Sequence, residues 1–99
     1  MTIKSPDILQ EQINSIISLF SSGQTQEALD SVRALIKDYP NEALLYNMSG
    51  GCNASLGQLD MAVKDYKKAL AIKPDYAVPQ HMLNALTGNK STRTTKRIC

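Results

Sequence analysis

A chain of 99 residues has room for one domain with a modest core, and because Trp is absent and aromatic residues are few, aliphatic side chains and Met must build most of that core. The formal net charge of +2 is too small to indicate a nucleic-acid-binding protein. The charge is also unevenly distributed: residues 1–88 carry seven Lys/Arg and nine Asp/Glu, whereas residues 89–99 carry four basic side chains and no acidic one.

The sequence carries no signal of secretion, membrane insertion or metal binding. Its N-terminus is polar throughout, unlike a signal peptide, and no segment approaches the ~18 apolar residues of a membrane span. Cys52 and Cys99 do not form a Cys-x-x-Cys pair, and they have no metal-ligand spacing with His81, the only histidine. We therefore expect a cytoplasmic protein with reduced thiols, no metal and no cofactor.

The first predicted helix runs from Ser5 to about Ser21. Ser5 can cap the free amides, Pro6 is tolerated in the first turn, and Asp7 complements the helix dipole there. A wide apolar band at helical spacing predicts the buried side of this helix, and it consists of Ile8, Leu9, Ile13, Ile16, Ile17, Leu19 and Phe20.

The second and third helices are separated by Tyr39-Pro40. Thr25 can cap the second helix, and the proline ends it because the residue before a proline is disfavoured in the helical region. Asn41 can cap the third helix, which contains Gly50-Gly51 and ends at Gly57. Two glycines inside a helix cost about 1 kcal/mol each relative to Ala, so we expect a neighbouring helix to approach closely there.

The fourth and fifth helices complete the predicted elements. The fourth begins at Leu59 and has a charged face that we expect to be solvated, formed by Asp60, Lys64, Asp65, Lys67 and Lys68. The fifth is predicted from Tyr76 to about Leu86, with Asp75 as its cap. The apolar pattern stops after it, so residues 89–99 are predicted to be a disordered basic tail.

Two segments of the chain match at an offset of 34 residues: GQTQEALDSVRALIKDYPNEA begins at Gly23, and GQLDMAVKDYKKALAIKPDYA begins at Gly57. A helix–turn–helix unit of this length resembles the tetratricopeptide repeat. The resemblance implies an all-α fold, a right-handed α-solenoid of about five helices. The domain is expected to span residues 1–88, with repeats at about 9–42 and 43–76 and a partial repeat at 77–88.

Residues 43–76 are the repeat most similar to the family pattern. The positions that match its aromatic, small and proline places are Tyr46, Gly50, Ala62, Tyr66, Ala69 and Pro74. The sequence departs from the pattern at Ser49, where the family usually has Leu, and at Asn53, where it usually has Tyr.

The resemblance also implies a function, because the first helix of each repeat lines a concave groove in this family. The positions carried over to that groove are Gln10, Ile13, Ile17, Phe20, Ser21, Leu44, Asn47, Gly51, Ala54, Ser55, Val78, His81 and Ala85. Family members that bind a terminal carboxylate have Lys and Asn at four groove places that read Ile13, Ile17, Asn47 and Gly51 here. We therefore expect a scaffold that binds an apolar segment of a protein or peptide partner, with no nucleic acid or membrane as partner. The alternative is that this surface packs on the chain's own next helix or on a second copy.

Two further interpretations remain open. Helical arrays usually need about three repeats and a closing helix, so Met82, Leu83 and Leu86 on the last helix predict a possible homodimer. The segment HMLNALTGNKS is also similar to one that follows tetratricopeptide arrays in some bacterial proteins before a methyltransferase domain. That similarity implies the N-terminal accessory part of a larger enzyme. The 99 residues contain no glycine-rich cofactor loop and no convergent acid, base or nucleophile, so the chain itself is expected not to be an enzyme.

Overall fold

The computed structural model describes residues 6–87, and these residues form five α-helices. The helices are α1 (Pro6–Ser21), α2 (Thr25–Asp38), α3 (Ala43–Ser55), α4 (Leu59–Ile72) and α5 (Ala77–Thr87). The most extensive contacts join each helix to the next one along the chain. Neighbour-to-neighbour packing of this kind is characteristic of helical repeats, so the predicted all-α helical-repeat class is confirmed.

Both repeats turn from their first helix into their second through the same glycine turn. Gly23 and Gly57 have φ angles of +87° and +82°, a left-handed conformation that side chains with a β-carbon rarely adopt. The amides of Gln24 and Gln58 each donate to a carbonyl five residues earlier at 2.8 Å, on Leu19 and Asn53. This is the bonding of a Schellman motif, and its recurrence gives the two repeats the same helix-to-helix connection.

The helix starts differ from the predicted caps. The N-cap of α2 is Gln24 and not Thr25, and the N-cap of α3 is Glu42 and not Asn41. Neither N-cap side chain forms a capping hydrogen bond. The reason at α2 is that the left-handed glycine places the next residue at the cap position. α5 begins at Ala77, one residue after its predicted start. The predicted cap Ser5 and the predicted tail at 89–99 lie outside the described residues.

The close helix approach expected at Gly50-Gly51 is present at the first of these glycines. A β-carbon on Gly50 would lie 2.7 Å from Cε1 of Tyr66 on α4, far inside van der Waals contact. The first repeat solves the same crossing the other way round, with the larger Ile16 on α1 and the smaller Val32 on α2, both buried. In the first repeat the larger side chain of the pair is on the first helix, whereas in the second repeat it is on the second helix. A larger residue on one helix is thus matched by a smaller one on the other.

The prediction that Asp65 belongs to a solvated face is wrong. Asp65 is half-buried, and its Oδ2 accepts hydrogen bonds from Ser49 Oγ at 2.6 Å and from Asn53 Nδ2 at 2.8 Å. Ser49 and Asn53 are the two places where the sequence departs from the family pattern. The two departures serve one purpose, because both residues donate hydrogen bonds to the Asp65 carboxylate that faces α3. The usual Leu and Tyr at these positions would not supply this pair of donors.

Candidate binding groove

One cavity of about 270 Å³ lies where α1, α3 and α5, the first helices of successive repeats, face each other. We call it the groove cavity, and its lining residues are Ile16, Ile17, Phe20, Asn47, Met48, Gly51, Cys52, Tyr66, Val78 and Met82. Four helices supply this set, with Tyr66 coming from α4, so the cavity depends on the stacking of the repeats and not on any one of them.

The rim of the groove cavity exposes large apolar side chains. The exposed fractions are 51% for Ile17, 41% for Phe20, 52% for Val78 and 36% for Met82. A group of apolar side chains gathered around one concavity, rather than scattered over the surface, is typical of an interaction site.

The floor of the groove cavity is buried and neutral. Burial raises the pKa of the Cys52 thiol, and the negative charge of Asp65 raises it further. The phenol of Tyr66 has a raised pKa, again chiefly because of burial. Both groups therefore keep their protons at neutral pH, and Cys52 has little thiolate character for use as a nucleophile.

Two residues of α3 give the cavity its space and its polar group. A β-carbon on Gly51 would make only an ordinary 3.8 Å contact with the Tyr66 hydroxyl, so helix packing does not require a glycine here. Its missing side chain instead leaves the cavity open. Asn47 places an amide among the apolar lining, and within residues 6–87 its buried Oδ1 has no hydrogen-bond partner.

Five of the predicted groove positions come together at this cavity. Ile17 and Phe20 on α1, Asn47 and Gly51 on α3, and Val78 on α5 all line it. Their binding role stays a prediction, but their shared location follows the repeat pattern.

The other predicted positions lie elsewhere. Ile13 is only 6% exposed and belongs to the core cluster that also contains Leu29, so it lies on the buried side that the apolar band predicts and not in the lining of the groove cavity. Leu44 lines a different depression, between α3 and the end of α4, and His81 lines a third on α5. The side chain of Gln10 donates to Asn14 on its own helix. The other positions carried over from the family, which are not among the lining residues of the groove cavity, are Ser21, Ala54, Ser55 and Ala85.

Met82, which the sequence predicts only as part of a dimer surface on the last helix, lines the groove cavity together with Val78. Their spacing of four residues was the available signal, since it puts both on one side of α5. The sequence gives no sign that Cys52 and Tyr66 border a cavity, because the same pattern is expected of side chains that are only packed between helices.

Residues 6–87 contain no group of three or more His, Cys, Asp or Glu side chains placed to hold a metal ion. No helix in this part of the chain has both the length and the apolar character needed to cross a membrane.

Comparison with known proteins gives one informative similarity, and no family model matches the chain. The chain is 38% identical over 58 residues to mouse tetratricopeptide repeat protein 16. The alignment covers 59% of this chain but only 8% of the mouse protein. Together with five helices and a 34-residue offset, this similarity supports tetratricopeptide-like helical repeats in the chain.

Proposed function

We propose that this protein is a non-enzymatic interaction module that binds an apolar segment of a partner protein in the groove cavity. The observation that carries the proposal is the ring of exposed Ile17, Phe20, Val78 and Met82 around one concavity of about 270 Å³. Covering these side chains removes apolar surface from water, which is the main favourable term in most protein associations. The similarity to a tetratricopeptide repeat protein agrees with such a role.

The chemistry of the lining favours an uncharged partner segment. Lys, Arg, Asp and Glu are absent from the lining residues, and the pKa values of Cys52 and Tyr66 are raised so that both stay neutral. A cavity without a cation offers no charge partner to an acidic C-terminal tail. The amide of Asn47 is the one strongly polar side chain that an incoming segment would meet.

The proposal can be tested by selecting binders from a displayed library of random peptides and comparing variants. Selected sequences are expected to be rich in apolar residues, and Ile17→Asp and Gly51→Leu are expected to abolish their binding by charging or filling the cavity. Leu44→Asp is the matched control, because Leu44 is a comparably exposed apolar residue outside the cavity. Circular dichroism must show that all variants keep their helices. Binding that survives Ile17→Asp and Gly51→Leu in folded protein rules out the groove cavity.

Self-association through α5 is the second candidate. Met82 is 36% exposed at the groove cavity, while Leu83 and Leu86 are half-buried on the same helix. A second copy would then cover part of the same apolar rim. Sedimentation equilibrium at high micromolar concentration checks this: a dimer weakened by Met82→Asp supports it, and a monomer excludes it. The accessory role in a larger enzyme stays a prediction, which the reading frame downstream of Cys99 would test.

A further inference from the structure

The last described helix, α5, is also one wall of the groove cavity. Its Val78 and Met82 line the cavity, and the other lining residues belong to α1, α3 and α4. Val78 is 52% exposed and Met82 36%, so packing within the chain covers only part of each side chain. The shape of the cavity therefore depends on how firmly α5 is held in place.

Fewer contacts hold α5 than hold α3, the helix that lies one repeat before it. The extensive contacts of α3 are with two helices, α2 and α4, whereas those of α5 are with α4. Buried residues occur along α3 from Ala43 to Asn53, but Pro79 is the one buried residue in the range 77–86 of α5. A helix of 11 residues is marginal by itself in water, so α5 is expected to unfold whenever it leaves α4.

The offset of 34 residues shows one hydrogen bond that α3 makes to the turn before it and α5 does not. Tyr46 on α3 donates from its hydroxyl to the Pro40 carbonyl at 3.0 Å. The corresponding residues are Gln80 on α5 and Pro74 in the turn before it. Gln80 instead donates to Asn84 on its own helix at 3.1 Å. The side chain at this place therefore secures α3 to its turn but leaves α5 without the same support.

The backbone turns that precede the two helices are alike. The amide of Glu42 donates to the Tyr39 carbonyl at 3.3 Å, and the amide of Tyr76 donates to the Lys73 carbonyl at 3.1 Å. The weaker attachment of α5 therefore comes from its side chains and its single extensive neighbour, and not from a different turn.

We propose that α5 is a lid on the groove cavity, which undocks from α4 and unfolds as a unit while α1 to α4 stay folded. The cavity is complete only when the lid is docked. A partner segment that contacts Val78 and Met82 binds the docked state and thus holds the lid closed. This coupling to a partner rests on the proposed function, whereas the opening of α5 does not.

Native-state hydrogen exchange of the full chain, followed by NMR, tests the opening of α5. Relative to their rates in an unfolded chain, the amides of Leu83, Ala85 and Leu86 are expected to exchange at least about tenfold faster than the slowest amides of α4. Equal protection of α5 and α4 would show that α5 opens only when the whole protein unfolds. Complete lack of protection would show that α5 does not dock. Either result overturns the lid.

Labelling of Cys52 shows whether the opening of α5 also exposes the groove cavity. The Cys52 side chain is 2% exposed and lines the cavity together with Val78 and Met82. In the Cys99→Ser protein, an excess of a methanethiosulfonate reagent is expected to label Cys52 at a rate that follows the exchange of the α5 amides. Labelling as slow as the exchange of α4, or as fast as in the unfolded protein, overturns the role of α5 as the covering wall.

A variant that supplies the missing hydrogen bond changes both rates in a defined direction. Gln80→Tyr is expected to slow α5 exchange and Cys52 labelling by the same factor, about twofold to tenfold, which is the size of one hydrogen bond. Gln80→Phe is the matched control, because its ring lacks the donating hydroxyl, and it should slow both rates less. A change in one rate without the other, or no change with Gln80→Tyr, overturns the proposal.

A peptide selected in the test of the proposed function then measures the coupling. At ten times its dissociation constant, the peptide is expected to slow both α5 exchange and Cys52 labelling about tenfold by mass action. A peptide that binds without slowing either rate overturns the coupling. If no peptide binds but α5 opens in the free protein as described, the proposed function fails while the lid is supported.

Discussion

Asn53 on α3 donates a hydrogen bond to Asp65 on α4 and, within residues 6–87, leaves its own Oδ1 buried with no partner. The bond joins the two helices of the second repeat in a region that the family pattern makes apolar. A buried acceptor without a partner costs about 1–3 kcal/mol, so this polar contact is retained at some loss of stability. Ser49 donates to the same Asp65 oxygen, so two uncharged donors on α3 stabilise the carboxylate by hydrogen bonding.

The first prediction concerns this bond. Ser49→Ala is expected to lower the free energy of unfolding by about 1.5–3 kcal/mol, because a charged acceptor loses one of its two α3 donors. Urea denaturation measures the change. Ser55→Ala, at an exposed position near the end of the same helix, is the control and should change stability by less than about 0.5 kcal/mol. Equal losses in both variants would show that the Asp65 contact contributes nothing.

The two adjacent glycines of α3 are expected to respond oppositely to Ala. Gly50→Ala forces a β-carbon to within 2.7 Å of the Tyr66 ring, and such overpacking costs about 1–3 kcal/mol. Gly51→Ala makes an ordinary 3.8 Å contact and gains about 0.5–1 kcal/mol from helix propensity. The urea midpoints of the two variants are compared with that of the parent protein, and each variant serves as the control for the other. A stabilised Gly50→Ala protein would contradict the packing described.

The left-handed turns predict a third effect. Gly57→Ala is expected to cost about 1–2 kcal/mol, because a β-carbon is strained at a φ of +82°. Beyond the two adjacent residues, no atom lies within 4 Å of the added carbon at either turn, so the cost is that of the backbone alone. Gly23→Ala should therefore lose a similar amount in thermal denaturation. A large difference between the two turns would mean that their surroundings, and not φ, set the cost.

Stability is expected to fall at alkaline pH. The pKa values of Cys52 and Tyr66 are raised from ordinary values of 9.0 and 10.0, mainly by burial. As pH rises past 9.0, the unfolded chain loses these protons before the folded chain does, so the free energy of unfolding decreases. The stabilisation is complete below that pH and is lost as pH rises towards the folded-state values.

Urea midpoints measured across this range test the alkaline effect. In Cys52→Ala the decline should begin nearer pH 10.0, the ordinary pKa of Tyr66 and of Tyr76, whose pKa values burial also raises. The comparison uses the shape of each pH profile, because the substitution also removes packing. If the urea midpoint of the parent protein increases as the pH is raised above 9.0, the described burial of both groups is contradicted.

Much of the fold was predictable because its signals are local. Helix spacing, the glycines at 23 and 57 and the prolines at 40 and 74 predicted five helices and a 34-residue repeat, and the structure has these helices. The close approach at Gly50 was also predictable, since a glycine inside a helix needs a packing reason. All of these depend on residues near one another in the chain or on a repeated pattern.

The sequence by itself determined the helices, their order and the 34-residue repeat. Only the tertiary structure decided which faces meet. It turned Asp65 towards α3 and brought Met82 to the groove cavity. The physical reason is that each helix contacts two neighbours, and the division of its surface between them, the cavities and solvent depends on crossing geometry, which a one-dimensional periodicity does not contain.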